Sequence, residues 1–225
     1  MNIFQNLSDL FFPRLCLSCG RSLSKGEKFI CTFCLADFPM SNNAYQAKDK
    51  LLCTFEENIK LETVYSLFYY NKYSRYRELI RAIKYHSNGE LATYLGSMLG
   101  EYIKEECSAD ALVPIPLHPR KERERGFNQS LQIALGLSKV LNIPILDRLI
   151  FRSKYTISQT GLSTEERRKN VENAFYIKDP EQAKGLHLLI IDDVITTGAT
   201  IHACVKQMSE IKNIRFSLSC LARAY

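Results

Sequence analysis

Residues 186–191, LHLLII, run without a break into Asp192 and Asp193 and then into VITTGAT, ending at Thr200. Near-continuous apolar character with no polar alternation is what a strand needs when both of its faces are covered, and a parallel sheet with helices on either side provides that setting. The small-residue turn at 196–200 then opens a helical pattern from residue 200 to about 211, and 214–221 reads as a further strand. Upstream, 63–70 is rich in β-branched and aromatic residues and reads as a strand, followed by helical patterns at 73–85 and 90–106. Residues 111–115 form a short buried strand, followed by a basic loop after Pro116 and then by the apolar periodicity of a helix through Leu131, Ala134, Leu135 and Leu137. Ser163-Thr-Glu-Glu166 is a capping box, so a helix carrying Arg167, Arg168 and Lys169 is expected from residue 164. Strands alternating with helices define an α/β fold built on a parallel sheet.

Ligands of open α/β sheets bind beyond the carboxyl ends of the strands, where the central run delivers two adjacent carboxylates. The backbone N–H groups of Thr196, Thr197, Gly198 and Ala199, with the hydroxyls of Thr197 and Thr200, sit at a helix N-terminus and suit a phosphate dianion. Carboxylates beside such a cradle need a different partner, and either sugar hydroxyls or a phosphate-bound Mg²⁺ would supply it. Spacing alone also allows Asp192 and Asp193 to be solvated caps. Neither GxxxxGK[ST] nor GxGxxG occurs here, so a nucleoside triphosphate or dinucleotide reading has no anchor.

Cys16-Leu-Ser-Cys19 and Cys31-Thr-Phe-Cys34 are separated by eleven residues. Each CxxC turn offers two thiolates from one tight knuckle, and two such turns fill the four corners of a tetrahedral zinc site. Four thiolates leave no open coordination position, so the zinc is expected to be structural, standing in for a core that a segment of this size cannot build alone. Cys53, Cys107, Cys204 and Cys220 lie singly among apolar neighbours and read as buried thiols. The sequence turns polar and aperiodic between 41 and 60, giving a zinc-binding module at 1–40, a connector at 41–60 and a main domain at 61–225. Loss of the module is expected to leave the main domain folded.

The 225 residues, 46% apolar and 24% charged, have an ordinary globular composition, and the net charge of +6 leaves a phosphate-rich partner open without requiring one. No apolar run approaches the roughly 18 residues of a membrane helix. The opening residues lack a positive n-region and a small-residue cleavage site, so a cytoplasmic protein is expected.

LLIIDDVITTGAT resembles the 5-phosphoribosyl-1-pyrophosphate (PRPP) signature of type I phosphoribosyltransferases. Residues 79–92 (LIRAIKYHSNGELA), 113–130 (VPIPLHPRKERERGFNQS) and 158–175 (SQTGLSTEERRKNVENAF) are similar to the ComF family of competence-related, phosphoribosyltransferase-like proteins. Together with the amino-terminal cysteines, the resemblance covers essentially the whole chain. It implies a type I phosphoribosyltransferase-like parallel sheet flanked by helices, with a small zinc-ribbon-like module. It further implies PRPP bound with Mg²⁺, Asp192 and Asp193 on the ribose hydroxyls, and Thr196, Thr197, Gly198, Ala199 and Thr200 around the 5-phosphate. His118 and Arg120 would hold pyrophosphate, and a hood at 158–170 would add Arg167, Arg168 and Lys169. Position 196 is Thr where purine-salvage members carry an acidic base, so no general base is evident and PRPP binding is better supported than any particular transfer. The same resemblance implies a role in DNA uptake, with DNA-uptake proteins as partners. The alternative is a factor that handles single-stranded DNA without transferase activity.

Overall fold

The computed structural model describes residues 13–41, 59, 61–153 and 174–224. A short helix α1 (Thr32–Ala36) precedes strand β1 (Leu61–Tyr70), helices α2 (Arg77–Tyr85) and α3 (Gly89–Ile103) and strand β2 (Ala111–Pro114). Helices α4 (Pro119–Arg125) and α5 (Gln129–Leu141) follow, then strands β3 (Ile150–Arg152) and β4 (Phe175–Ile177). After a 3-10 turn (Pro180–Ala183) come strand β5 (His187–Ile195), helix α6 (Ala199–Met208) and strand β6 (Arg215–Ala224).

The sheet has four parallel strands in the order β1-β6-β5-β2. Its centre is the apolar run, and alternation along β5 sends successive side chains to opposite faces. Leu189 and Ile191 join the buried cluster beneath α2, α3 and α5, whereas Leu188 and Ile190 join the one beneath α6, β3 and β4. All four are essentially fully buried, and each contributes roughly 1.5–3 kcal/mol of apolar transfer. This is the doubly covered parallel sheet that the uninterrupted apolar run requires.

Helices α3 and α5 cross so closely that a Cβ on Gly96 would lie 2.3 Å from the Ile133 carbonyl oxygen, and one on Gly136 would lie 2.2 Å from that of Thr93. Both outer strands are covered. Ser41 N–H donates to the Leu67 carbonyl (2.9 Å) along β1, while Leu112 of β2 donates to Pro144 (2.9 Å) and accepts from Leu146 (2.8 Å). Covering these edges removes a row of open backbone donors and acceptors.

Two local expectations change. The basic segment after Pro116 is not a loop: it is α4, opened by His118 as N-cap with Pro119 in its first turn, and closed by Gly126 at φ 81°. Strands β3 and β4 pair antiparallel as a separate two-stranded sheet that the sequence did not signal. The capping box at 163–166 and Arg167, Arg168 and Lys169 lie outside the described residues.

Candidate functional site

β5 continues past its apolar run, so Asp192 and Asp193 lie within the strand and point to opposite faces. Asp193, 8% exposed, turns toward α2, where the Lys84 ammonium lies 3.2 Å from its carboxylate. Asp192 turns to the other face, where its negative charge raises the Arg152 guanidinium of β3 against the effect of burial and the Cys204 thiol of α6 beside it. Its Oδ1 accepts from the Asp193 N–H (2.8 Å) and from the Ser130 hydroxyl (3.4 Å). Burial, followed by the neighbouring Asp193 charge, pushes the Asp192 carboxyl up to about 7, against the opposing pull of the Asp193 N–H and Lys84. Burial pulls the Lys84 ammonium down, but Asp193 and Asp192 outweigh it and hold Lys84 above its ordinary value.

Beyond β5 the chain turns through Gly198, which sits at φ 72° and caps α6. An L side chain rarely adopts that backbone conformation, so glycine is suited to the tight strand-to-helix turn. Asp192, Thr196, Thr197, Gly198, Ala199 and Thr200 line one open hollow at this turn. Asp192 and the threonine turn therefore share one hollow, while Asp193 lies on the opposite face of the strand.

The basic residues divide. His118 is the N-cap of α4, its Nδ1 accepting from the Arg120 N–H at 3.1 Å, and the Arg120 guanidinium pairs with Glu124 (3.1 Å) on the exposed side of the helix. Sequence reasoning missed the cations beside the carboxylates, Lys84 and Arg152, next to which Lys121 of α4 lies. The Lys121 ammonium is lowered by burial, then by Arg152 and Arg125. Burial also lowers Arg152, while Asp192 opposes that shift. Ser130 was missed as well. Asn128 holds it, accepting from the Ser130 N–H (3.0 Å) and donating to the Ile115 carbonyl (3.1 Å). Lys84, Lys121 and Ser130 fall in the segments at 79–92 and 113–130 quoted for the family resemblance; Arg152 had no sequence signal at all.

The second cluster is the cysteine knuckle. The four sulfurs of Cys16, Cys19, Cys31 and Cys34 lie within 4.8 Å of one another, and the Cys19 and Cys31 sulfurs are 3.7 Å apart. Zn–S bonds of about 2.3 Å at tetrahedral angles place sulfurs about 3.8 Å apart, so the donor set and its spacing are compatible with structural zinc. Burial raises the Cys16 thiol, but the N–H groups of Cys31, Cys19 and Ser18 outweigh it and bring it down to about 7. Glu27 braces the knuckle, accepting from Thr32 N–H and hydroxyl (2.6 Å each) and from Ser24 N–H (2.6 Å). The Thr32 bonds, then that from Ser24, hold its carboxyl at about 2. The knuckle is joined to the main domain: Tyr76 hydroxyl donates to the carbonyls of Cys34 and Asp37 (2.9 Å each), Arg75 pairs with Asp37, and Phe38 packs edge-on against Phe68 and Tyr76. Of the single cysteines, Cys204 and Cys220 are fully buried and Cys107 is partly so, while Cys53 lies outside the described residues. No helix among the described residues is long and apolar enough to cross a membrane.

No protein-family model matches the chain. It is 34% identical over 116 residues to competence protein F of Haemophilus influenzae, covering 51% of each protein. It is 31% identical over 154 residues to the DNA utilization protein YhgH of Escherichia coli K12, covering 64% of this chain and 66% of that one. To competence protein ComFC of Bacillus subtilis it is 26% identical over 200 residues, covering 88% and 78%. The chain thus spans about half of the Haemophilus protein and just under two thirds of YhgH. Among solved structures, the purine phosphoribosyltransferase of Pyrococcus horikoshii overlaps 60% of this chain and 72% of its own at 21% identity and a TM-score of 0.36, too slight a likeness to carry weight.

Proposed function

From a chain that is a homologue of competence protein F, YhgH and ComFC, we propose a PRPP-binding, phosphoribosyltransferase-like protein of the ComF type that serves DNA utilization in the cytoplasm. The observation that carries the reading is the shared hollow of Asp192 with the turn from Thr196 to Thr200 at the carboxyl end of a buried parallel strand. Carboxylates take vicinal ribose hydroxyls through charge-assisted hydrogen bonds. The N–H groups and hydroxyls of the turn take the 5-phosphate at the start of α6. Mg²⁺ would accompany the pyrophosphate and neutralise its charge; Arg152, whose charge meets that of Asp192, would add to it, and the family resemblance gives His118, Arg120, Arg167, Arg168 and Lys169 the same part. The proposal is one of binding, since Thr196 offers no general base.

Calorimetric titration with Mg²⁺·PRPP tests it. The native protein is expected to bind, and the double variant Asp192→Asn/Asp193→Asn is expected to lose binding while still melting cooperatively. Equal affinity in the two proteins would remove the site from consideration. A second reading, single-stranded-DNA handling without transfer, is favoured by the exposed Arg120 and Arg123 on α4.

A further inference from the structure

Two carboxylates adjacent in sequence at the end of a buried strand repel each other and have little water to screen them, so neither readily stays ionised without a counter-charge. The groups around them come from every neighbouring element. Asp193 faces Lys84 from α2 and the half-buried phenol of Tyr70 from β1, which burial raises. Asp192 faces Arg152 from β3, the buried thiols of Cys204 and Cys220 from α6 and β6, and the Ser130 hydroxyl from α5. Lys121 and Arg125 of α4 stand behind the cations, and Arg125 donates to the Gln129 side chain at 2.9 Å. Within this set, Lys84 makes a direct ion pair with Asp193.

Lys84 is well held. It lies in the last turn of α2, whose Leu79, Ile80, Ala82 and Ile83 are buried against the sheet and α3. Its side chain is 25% exposed and that of Asp193 12%, so the pair is more strongly coupled than an exposed one. An ammonium offers three donors and one charge, enough to fix one carboxylate oxygen while leaving the other for a ligand.

The geometry points to Lys84 as the positioning residue of the acidic pair: by clamping Asp193 at 3.2 Å it orients that carboxylate beside Asp192 at the end of β5, so that the pair can accept the ring hydroxyls of a phosphoribose. This rests on the proposed phosphoribose site and assigns the hydroxyl end of that ligand to a residue on a different helix. Lys84 then governs recognition of the vicinal diol rather than of the phosphate. The hydroxyl-bearing sugar phosphate is the ligand class that depends on it, and a sugar phosphate lacking the 2-hydroxyl depends on it less.

The experiment compares the native protein with Lys84→Met and Lys84→Arg in titrations with Mg²⁺·PRPP, ribose 5-phosphate and 2-deoxyribose 5-phosphate between about pH 5.5 and 8.5, a range that brackets the raised Asp192 carboxyl. Losing ionised, oriented acceptors is expected to weaken PRPP and ribose 5-phosphate binding by about tenfold or more in Lys84→Met, with Lys84→Arg recovering most of it. The loss for the 2-deoxy sugar should be smaller. Lys84 lowers the Asp192 carboxyl, so removing the cation raises it further, and the pH below which Lys84→Met loses PRPP should lie above that of the native protein, a shift that mere loosening of α2 would not give. Should the methionine variant fail to fold, Lys84→Gln carries the same comparison. Binding within about twofold of native at all pH values, or an equal loss for all three ligands with no change in the pH profile, overturns the role of Lys84. Failure of the native protein to bind PRPP or ribose 5-phosphate instead overturns the site itself.

Discussion

The cysteine knuckle and the acidic site are both clusters of ionisable side chains, but they are assembled in opposite ways. The knuckle draws its four ligands from residues 16–34, and two CxxC turns bring the sulfurs together almost without help from the remainder of the chain. The acidic site draws Asp192 and Asp193 from β5, Lys84 from α2, Ser130 from α5 and Arg152 from β3, so it exists only when the sheet and its helices have packed. In energetic terms the roles reverse. The knuckle stabilises the molecule beyond its own borders, since Cys16, Ile30, Cys31, Cys34 and Phe38 belong to the same buried cluster as Leu79 of α2, Leu95 of α3 and Ile191 of the sheet. The acidic site opposes folding, since it places two carboxylates where little water reaches them.

The largest effect expected from this contrast comes from attacking the knuckle. Structural zinc is folding free energy in small metal modules. Here the knuckle also covers Phe68 and Tyr76 through Phe38, so stripping the metal, or Cys31→Ser, should lower the melting temperature of the whole protein by roughly 10 °C or more, given about 2–4 °C per kcal/mol at this size. The shared core argues against the expectation that losing the module leaves the main domain intact: removal would uncover Phe68 and Tyr76, which Phe38 now covers. Scanning calorimetry with and without a chelator, beside metal analysis, checks this. An unchanged transition in metal-free protein would mean that the knuckle is an appendage after all.

A smaller effect of opposite sign is expected at the acidic site. The Asp192 carboxyl is raised from its ordinary value to about 7 in the folded protein. A raised carboxyl contributes stability below the ordinary carboxylate range and loses it as pH climbs through about 7, because the ionised form is the disfavoured one. The native protein should therefore be less stable at about pH 8 than near pH 5.5 on account of this group. Asp192→Asn should melt roughly 3 °C above native at about pH 8, with the gap narrowing toward about pH 5.5. Thermal denaturation across that range decides it, and a variant less stable than native at the upper end would show that Asp192 contributes more through its hydrogen bonds than it costs through burial.

The same contrast explains what the sequence could reveal. The knuckle was legible because its geometry is local, and the sheet was legible because a run such as LHLLII fits few environments. Asp192, Asp193 and the turn at 196–200 were legible as one continuous segment. Lys84 was not, because nothing in the IKYH around it indicates that this lysine will meet Asp193, far along the chain; that follows only from the docking of α2. Helix α4 could have been read, since Pro119 near its start and Gly126 just past its end are ordinary helix punctuation, but its dense charge with no apolar stripe obscured it. β3 and β4, three residues each, are too short to carry a period of their own.

The smallest effect, and the one that extends the comparison to a partner, concerns single-stranded DNA. Arg123 is exposed on α4 while Arg125, on the same helix, is partly buried and donates to Gln129, so the helix carries one cation toward solvent and another toward α5. If DNA is held by phosphate contacts at this face, each neutralised phosphate steepens the fall of log K with log salt by roughly 0.7 for a single strand. Arg123→Ala should then weaken binding only modestly at low salt and reduce the slope by about 0.7, the contribution of one contact. Arg123→Ala/Arg125→Ala should weaken it further, and Mg²⁺·PRPP should compete, because the Arg125 charge acts on Lys84, the partner of Asp193. Fluorescence anisotropy of a labelled oligonucleotide over a salt series, with and without Mg²⁺·PRPP, reads both quantities. A slope unchanged by the substitutions, with no competition from PRPP, would place DNA away from α4 and make the knuckle, with Phe33 70% exposed beneath the Arg21 guanidinium, the next face to test.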